Sequence, residues 1–222
     1  MIRGVIFDMD GTLFDTERLY TIAWKQVGKE MGYSITTELL NQCRGKTAPL
    51  IRKIFEDAFG KEFEYEGARQ RKDEIFMEMI VRDGVPKKKG LVELLSYLQK
   101  NKIPAAVATS TRQERGEKVL QMSGVSEYFT AFVYGDTQKA SKPKPDIFWN
   151  AAKEIGVDPK ECLVVEDSTP GVMAGIAAGG ATIFIRDMVD VPAEVLENVS
   201  ASLEDLGKIV GWLEKVNYSE NV

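Results

Sequence analysis

Two carboxylates stand two residues apart in the stretch Val5-Ile6-Phe7-Asp8-Met9-Asp10-Gly11-Thr12. Acids at that spacing share a face if extended geometry persists through them, and Gly11 lets the backbone turn sharply behind them. Such a pair suits phosphoryl transfer. One carboxylate attacks phosphorus to give an aspartyl phosphate, the other carries the proton, and a hard cation such as Mg2+ takes oxygen ligands from both site and phosphate. Asp-x-Asp-Gly is also ordinary turn chemistry, so the assignment depends on partners elsewhere in the chain. Thr109-Ser110-Thr111 is an uncharged hydroxyl cluster. The Thr109 side chain and the neighbouring backbone N–H groups fit phosphate oxygens, although Ser and Thr equally cap helices. Lys142 lies in Ala140-Ser141-Lys142-Pro143-Lys144-Pro145-Asp146, where the prolines stiffen the loop and strip it of N–H donors. It can be aimed as a fixed cation that neutralises nucleophile and phosphate, whereas Lys144 reads as a surface lysine. Glu166-Asp167 are adjacent acids whose mutual repulsion a cation would relieve, with Asp167 as direct ligand and Glu166 as ligand or neighbour of one.

The elements that must position these groups are legible as a run of short strands. Residues 5–7 form an apolar run that exits into a tight loop, and in open α/β sheets the carboxyl edge of the strands is where ligands bind. Further strands are expected at 105–109, 132–134, 163–165 and 182–185, so each chemical fragment falls at or just beyond a strand end. Between them, helices are expected at 91–100, at 115–122 with a stop near Gly124, from Asp146 as cap through Ile155, and finally near 203–216. Pro170 is expected at a first helical position. This alternation predicts a parallel sheet covered on both faces. Residues 17–81 differ in character. Leu19, Ile22, Ala23, Val27 and Met31 keep a three-and-four spacing, as do Leu50, Ile54, Phe55 and Ala58, and then Ile75, Phe76, Met79 and Ile80. Asp83-Gly84-Val85-Pro86 closes the segment with turn chemistry, which marks it as a helical insertion. Gly171, Gly175 and Gly179 fall four apart on a helix and suggest close packing. Gly45-Lys46-Thr47 is not the end of a phosphate loop, because Leu40 stands where that loop requires glycine.

Composition narrows the chemistry. The chain of 222 residues contains no histidine, which removes Ser-His-Asp and Cys-His catalysis and the common His-based zinc and iron sites. A net charge of −5 argues against a nucleic-acid surface, and Lys87-Lys88-Lys89 reads as a solvated linker. Hydrophobic residues make up 44%, ordinary for a soluble globule, and no apolar run approaches a membrane span. Met1-Ile2-Arg3 enters a strand at once, leaving no room for a signal peptide, so a cytoplasmic monomer is expected. Cys43 and Cys162 are expected as reduced structural thiols.

The string Phe7-Asp8-Met9-Asp10-Gly11-Thr12-Leu13-Phe14-Asp15-Thr16-Glu17, followed in order by Thr109, Lys142 and Glu166-Asp167, resembles the four-motif pattern of the haloacid dehalogenase (HAD) superfamily over essentially the whole chain. The insertion looks like the helical cap of the subgroup that contains β-phosphoglucomutase and many small-molecule phosphatases. The resemblance implies an α/β fold, with a Rossmann-like parallel-sheet core of residues 1–16 and 87–222 and an all-helical cap of residues 17–86. It implies Asp8 as nucleophile, Asp10 as general acid/base, and Thr109 and Lys142 as partners of phosphate and nucleophile. Mg2+ would be held by Asp8, the Asp10 carbonyl and Asp167, with Glu166 joining as ligand or neighbour. Gly11 and Ser110 complete the phosphate-binding set. In the cap, Arg18, Tyr20, Trp24, Arg44 and Lys46 are candidates to face the leaving group, with Arg44 and Lys46 counted as substrate-binding. The cap is expected to close over the site and exclude water until the leaving group is seated.

Dehalogenases of the superfamily lack the second aspartate of the first motif, so Asp10 argues for phosphorus as the electrophile. In the β-phosphoglucomutase resemblance, a histidine soon after the first motif discriminates against water and a cap-loop arginine holds the distal phosphate. Tyr20 and Ala48 stand at those positions here, and both departures favour hydrolysis. The expected activity is that of a Mg2+-dependent phosphatase of a small phosphorylated metabolite, phosphosugar-like, working through an aspartyl phosphate. A phosphosugar mutase and a non-catalytic phosphate-binding regulator are the alternatives. Nucleotides, phosphoglycolate and pyrophosphate stay open as substrates.

Overall fold

The computed structural model describes residues 1–44, 46, 48–188 and 190–218. The chain divides into two compact units, Met1–Asp15 with Val85–Val222, and Thr16–Gly84.

The first unit is built on a six-stranded sheet in the order β3-β2-β1-β4-β5-β6. The strands are β1 (Gly4–Phe7), β2 (Ala105–Thr109), β3 (Ala131–Tyr134), β4 (Cys162–Glu166), β5 (Ala181–Ile185) and β6 (Ala201–Leu203), and every pairing is parallel. Strands β1, β2 and β4 are buried at every position. Their nearly continuous apolar sequences are what a sheet covered on both faces requires. Strand β1 lies at the centre, where the chain order reverses between its two sides, and such a reversal opens a crevice at the carboxyl ends of the strands. Register sets Phe7 against Val107 on one side and Val165 on the other, so Asp8, Thr109 and Glu166 emerge together at that edge.

The second unit holds α1 (Thr16–Met31), α2 (Thr37–Cys43), α3 (Ala48–Phe59) and α4 (Tyr65–Asp83). Its core is aromatic. Phe55 is fully buried and its ring centroid lies 4.7 Å from that of Trp24, 5.3 Å from Phe63 and 5.4 Å from Tyr65. On its surface Arg71 of α4 reaches Glu30 of α1 at 2.9 Å, tying the two longest helices of the unit together. Of the apolar residues at three-and-four spacing, Ala23, Val27, Phe55, Ile75, Phe76, Met79 and Ile80 are buried in this packing, whereas Ile22, Leu50 and Ala58 are exposed.

In the first unit α5 (Leu91–Lys100) buries Leu91, Leu94, Leu95 and Leu98, and α6 (Gln113–Ser123) ends on Gly124 in the left-handed conformation. Helices α7 (Asp146–Glu154) and α8 (Thr169–Ala178) close one face, where Ile147, Phe148, Ala151 and Ala174 pack on Ile6, Ala106, Ala108 and Val164. The short α9 (Ala193–Leu196) and α10 (Lys208–Tyr218) complete it. Of the three spaced glycines, Gly171 and Gly175 are sites of close approach, whereas Gly179 is the left-handed cap that ends α8 and its nearest neighbour, Lys160, would lie 3.9 Å from a Cβ. A Cβ on Gly175 would meet Thr182 and Val164 at 2.9 Å. Pro170 sits in the first turn of α8, after Thr169, with Ser168 as cap.

Three local expectations are corrected. Residues 201–203 form β6, paired with β5, where no strand is expected, and the final helix, expected from near Leu203, begins only at Lys208 as α10. Three residues are too few to display an alternating pattern, and this strand is held by pairing to Ile183–Ile185, not by its own propensity. The four-residue α9 was likewise not anticipated, being shorter than the window over which helical periodicity shows. Asp146 is the first residue of α7, not its cap. Pro145 occupies the cap position, its carbonyl accepts from Phe148 N at 2.9 Å, and no side chain caps the helix. Proline's fixed φ starts the helix without the carboxylate's help.

Candidate active site

The site grows from the carboxyl ends of β1, β2 and β4. Asp8 continues β1, its N–H donating to the Val165 carbonyl at 3.0 Å, which points its side chain out of the sheet edge. Its Oδ1 accepts from Lys142 Nζ at 2.5 Å. The same ammonium donates to Glu166 Oε1 at 2.7 Å and to the Ala108 carbonyl at 3.1 Å, and lies 5.0 Å from the centroid of the Phe148 ring. Three acceptors for three protons fix a lysine that is almost wholly buried.

Glu166 is fully buried and both of its oxygens are occupied. Oε1 faces Lys142, while Oε2 accepts from the N–H groups of Asp167 at 2.9 Å and Ser168 at 3.0 Å and from Ser168 Oγ at 3.0 Å. Ser168 Oγ in turn accepts from Gly171 N at 3.1 Å and caps α8. Gly171 is a steric requirement here, since a Cβ would fall 1.8 Å from Glu166 Oε1.

Asp167 Oδ1 accepts from Thr12 Oγ1 at 2.9 Å, and its Oδ2 lies against Gly11. Gly11 has φ +85°, and a Cβ there would come within 2.3 Å of Asp167 Oδ2. Only glycine lets the loop turn and the acid approach. Among the described residues, one oxygen each from Asp8, Glu166 and Asp167 lie within 4.8 Å of one another. An all-oxygen donor set of this kind fits a hard divalent cation such as Mg2+. The electrostatics agree. Burial foremost pushes the Asp8 carboxyl up to about 8, against the pull of Lys142 and with the charges of Glu166 and Asp10 adding to the rise. Burial also raises Asp167 well above the ordinary range, followed by the charges of Glu166 and Asp8. Burial works against the charge on Lys142, but Asp8 and Glu166 outweigh it and keep the ammonium protonated. Three acids thus share one lysine, and a bound cation would reverse the rise in both aspartates.

The Asp10 carboxylate is turned another way. Its Oδ2 accepts from Thr111 Oγ1 at 2.6 Å, and that hydroxyl accepts from Arg115 Nη2 of α6 at 2.8 Å. Thr109 ends β2, is buried, and its Oγ1 accepts from Thr111 N at 3.1 Å, while Ser110 is exposed. The structure therefore gathers Asp8, Lys142, Glu166 and Asp167, and places Asp10, Gly11 and Thr109 around them.

The remaining candidates lie in the second unit. Arg44 Nη2 donates to Thr21 Oγ1 at 2.7 Å and Arg44 Nε lies 3.7 Å from Glu17. Tyr20 stacks on Phe76 with centroids 4.3 Å apart beneath the Lys72 ammonium, and Trp24 belongs to the aromatic core. Arg18 and Lys46 are exposed. Gly45 and Thr47 lie outside the described residues. Sequence reasoning did not single out Thr12, Thr111, Arg115 or Asp187. Thr12 and Thr111 stood inside quoted motifs, and Asp187 follows an apolar strand closely, the one signal that pointed to it.

Comparison with known proteins gives a consistent answer. The family profile described as haloacid dehalogenase-like hydrolase matches residues 2–179. A phosphorylated carbohydrates phosphatase of Thermotoga maritima is 31% identical over 221 residues, covering 97% of this chain and 100% of the relative. The β-phosphoglucomutase of Bacillus subtilis is 27% identical and covers 88% of this chain and 94% of its own. The crystal structure of β-phosphoglucomutase from Clostridium difficile has a TM-score of 0.79 at 23% identity, over 100% of this chain and 99% of that one, a likeness of fold.

Proposed function

The chain belongs to the haloacid dehalogenase-like hydrolase family, and from that premise we propose that it is a Mg2+-dependent phosphatase of a small phosphosugar-like metabolite, working through an aspartyl phosphate on Asp8. The observation that carries this reading is the Lys142 ammonium fixed between Asp8 and Glu166 beside Asp167. Uncatalysed hydrolysis of a phosphate monoester demands enhancements of up to about 10^21-fold, so several effects must combine.

A carboxylate oxygen of Asp8 attacks phosphorus as the ester P–O bond breaks, and Asp10 gives its proton to the departing oxygen. Water then attacks the phosphorus, its proton passes to Asp10, and the bond to Asp8 breaks to release inorganic phosphate. Thr111, itself held by Arg115, orients the Asp10 carboxyl for both transfers. The charge of Lys142, whose three protons are already placed, neutralises the phosphoryl group, and the hydroxyl of Thr109 holds one of its oxygens. Because both Glu166 oxygens are engaged, this glutamate fixes Lys142, and the cation would be held by Asp8 and Asp167, with the Asp10 carbonyl joining them as the family resemblance implies. When bound, the cation supplies further charge neutralisation at the phosphoryl group.

Asp8→Asn is expected to lower kcat at least a thousandfold with p-nitrophenyl phosphate or a panel of sugar phosphates, and EDTA to abolish wild-type turnover reversibly. Turnover near wild type in Asp8→Asn would exclude the covalent route. The Bacillus relative supports a second reading, a phosphosugar mutase. The products separate the two, since a phosphatase releases inorganic phosphate from β-glucose 1-phosphate and a mutase yields glucose 6-phosphate.

A further inference from the structure

Asp187 lies just beyond β5, and its side chain is only 2% exposed. Its Oδ1 accepts from Lys88 Nζ at 2.8 Å. Its Oδ2 is buried and has no hydrogen-bond partner among the described residues. That oxygen is aimed at the acidic site. A Cβ on Gly11 would stand 3.1 Å from Asp187 Oδ2 and 2.3 Å from Asp167 Oδ2, so the two carboxylates flank the same small space. Leaving a charged group half-satisfied in a buried place costs more than leaving a neutral one so, and setting it beside a second buried acid adds repulsion. An ion pair with Lys88 alone explains neither feature, since an asparagine would satisfy the lysine without the repulsion. Asp187 also stands outside the cluster that Asp8, Glu166 and Asp167 form, and its Oδ1 is already held by Lys88, so it is placed to reach the same ion through a water.

We propose that Asp187 is an outer-sphere carboxylate of the cation site, its Oδ2 accepting a hydrogen bond from a water ligand of the cation while Lys88 fixes Oδ1. Water bound to a divalent cation turns a lone pair to the metal, and the cation's pull makes its outward O–H groups strong donors and its oxygen a poor acceptor, so the fitting partner is an acceptor. Groups that hold a cation's ligands from outside typically change metal affinity 10- to 100-fold when lost. This inference rests on the Mg2+-dependent reading above.

The test is Mg2+ binding by titration calorimetry to the wild type, Asp187→Asn, Lys88→Gln and Asp167→Asn, with the metal-free melting temperature as a check of folding. Asp187→Asn keeps its shape and an acceptor for Lys88 but presents N–H groups in place of Oδ2, and its Kd for Mg2+ should rise about tenfold or more. Lys88→Gln removes the competing cation and leaves the carboxylate, so it should bind Mg2+ as tightly as wild type or more so. Binding by Asp187→Asn within twofold of wild type overturns the proposal, as does equal weakening in both variants, the mark of a merely structural ion pair. Should Asp187→Asn fail to fold, Lys88→Gln decides alone, weaker binding counting against the proposal. The parent reading fails separately, if the wild type takes up no Mg2+ or if Asp167→Asn binds it unchanged.

Discussion

Lys142 is surrounded by more negative charge than it can neutralise, and the surplus falls on Asp8. Asp8 titrates at about 8 in the fold against an ordinary 3.8, so across that interval the folded protein holds a proton that the unfolded chain has released. The contribution to stability is therefore full below the unfolded value, declines as pH rises, and is lost above the folded one. In EDTA, the urea midpoint of wild type should fall from pH 5 to pH 8 more steeply than that of Asp8→Asn, which has no such group to ionise. Parallel midpoints for the two would remove the account of Asp8 as a strained acid. Saturating Mg2+ should flatten the wild-type decline, because the cation favours the ionised carboxylate.

At the scale of elements, the turn from β4 into α8 builds the site's architecture. Glu166 takes Lys142 on one side and the N–H groups of the turn on the other, and Gly171 leaves the room in which it sits. Gly171→Ala places carbon inside the glutamate's van der Waals surface, and the fully buried Glu166 has nowhere to retreat. The expected loss is about 2 kcal/mol or more by urea denaturation, with turnover falling as Lys142 loses its anchor. A variant as stable and active as wild type would show that the turn has slack. The four-residue spacing of glycines in α8 was readable as close packing, yet nothing local said that one of them faces a carboxylate. Strand ends were readable too, because the apolar run and the loop chemistry that follows it are neighbours in the chain. The three-residue β6 was not, since its stability comes from pairing with β5.

At the scale of the molecule, the question is which acceptor receives the phosphoryl group. The second unit carries Tyr20 where the mutase resemblance has histidine, and that ring is committed to Phe76 and Lys72. Steady release of inorganic phosphate without added glucose 1,6-bisphosphate is expected, measured by phosphate colorimetry across a sugar-phosphate panel. A strict requirement for the bisphosphate would assign the chain to the mutases. No described helix is long and apolar enough to cross a membrane. What the amino-acid sequence determined by itself was the order of the chemical fragments, the reaction class they suit, and an α/β frame with a helical insertion. These rest on local patterns, where apolar period and turn residues are written side by side. Only the tertiary structure decided that Glu166 serves Lys142, that Thr111 holds Asp10, and that Asp187 leans on the same space as Asp167. Those relations join residues as far as 101 positions apart in the chain, and sheet register, which no single segment carries, brings them together.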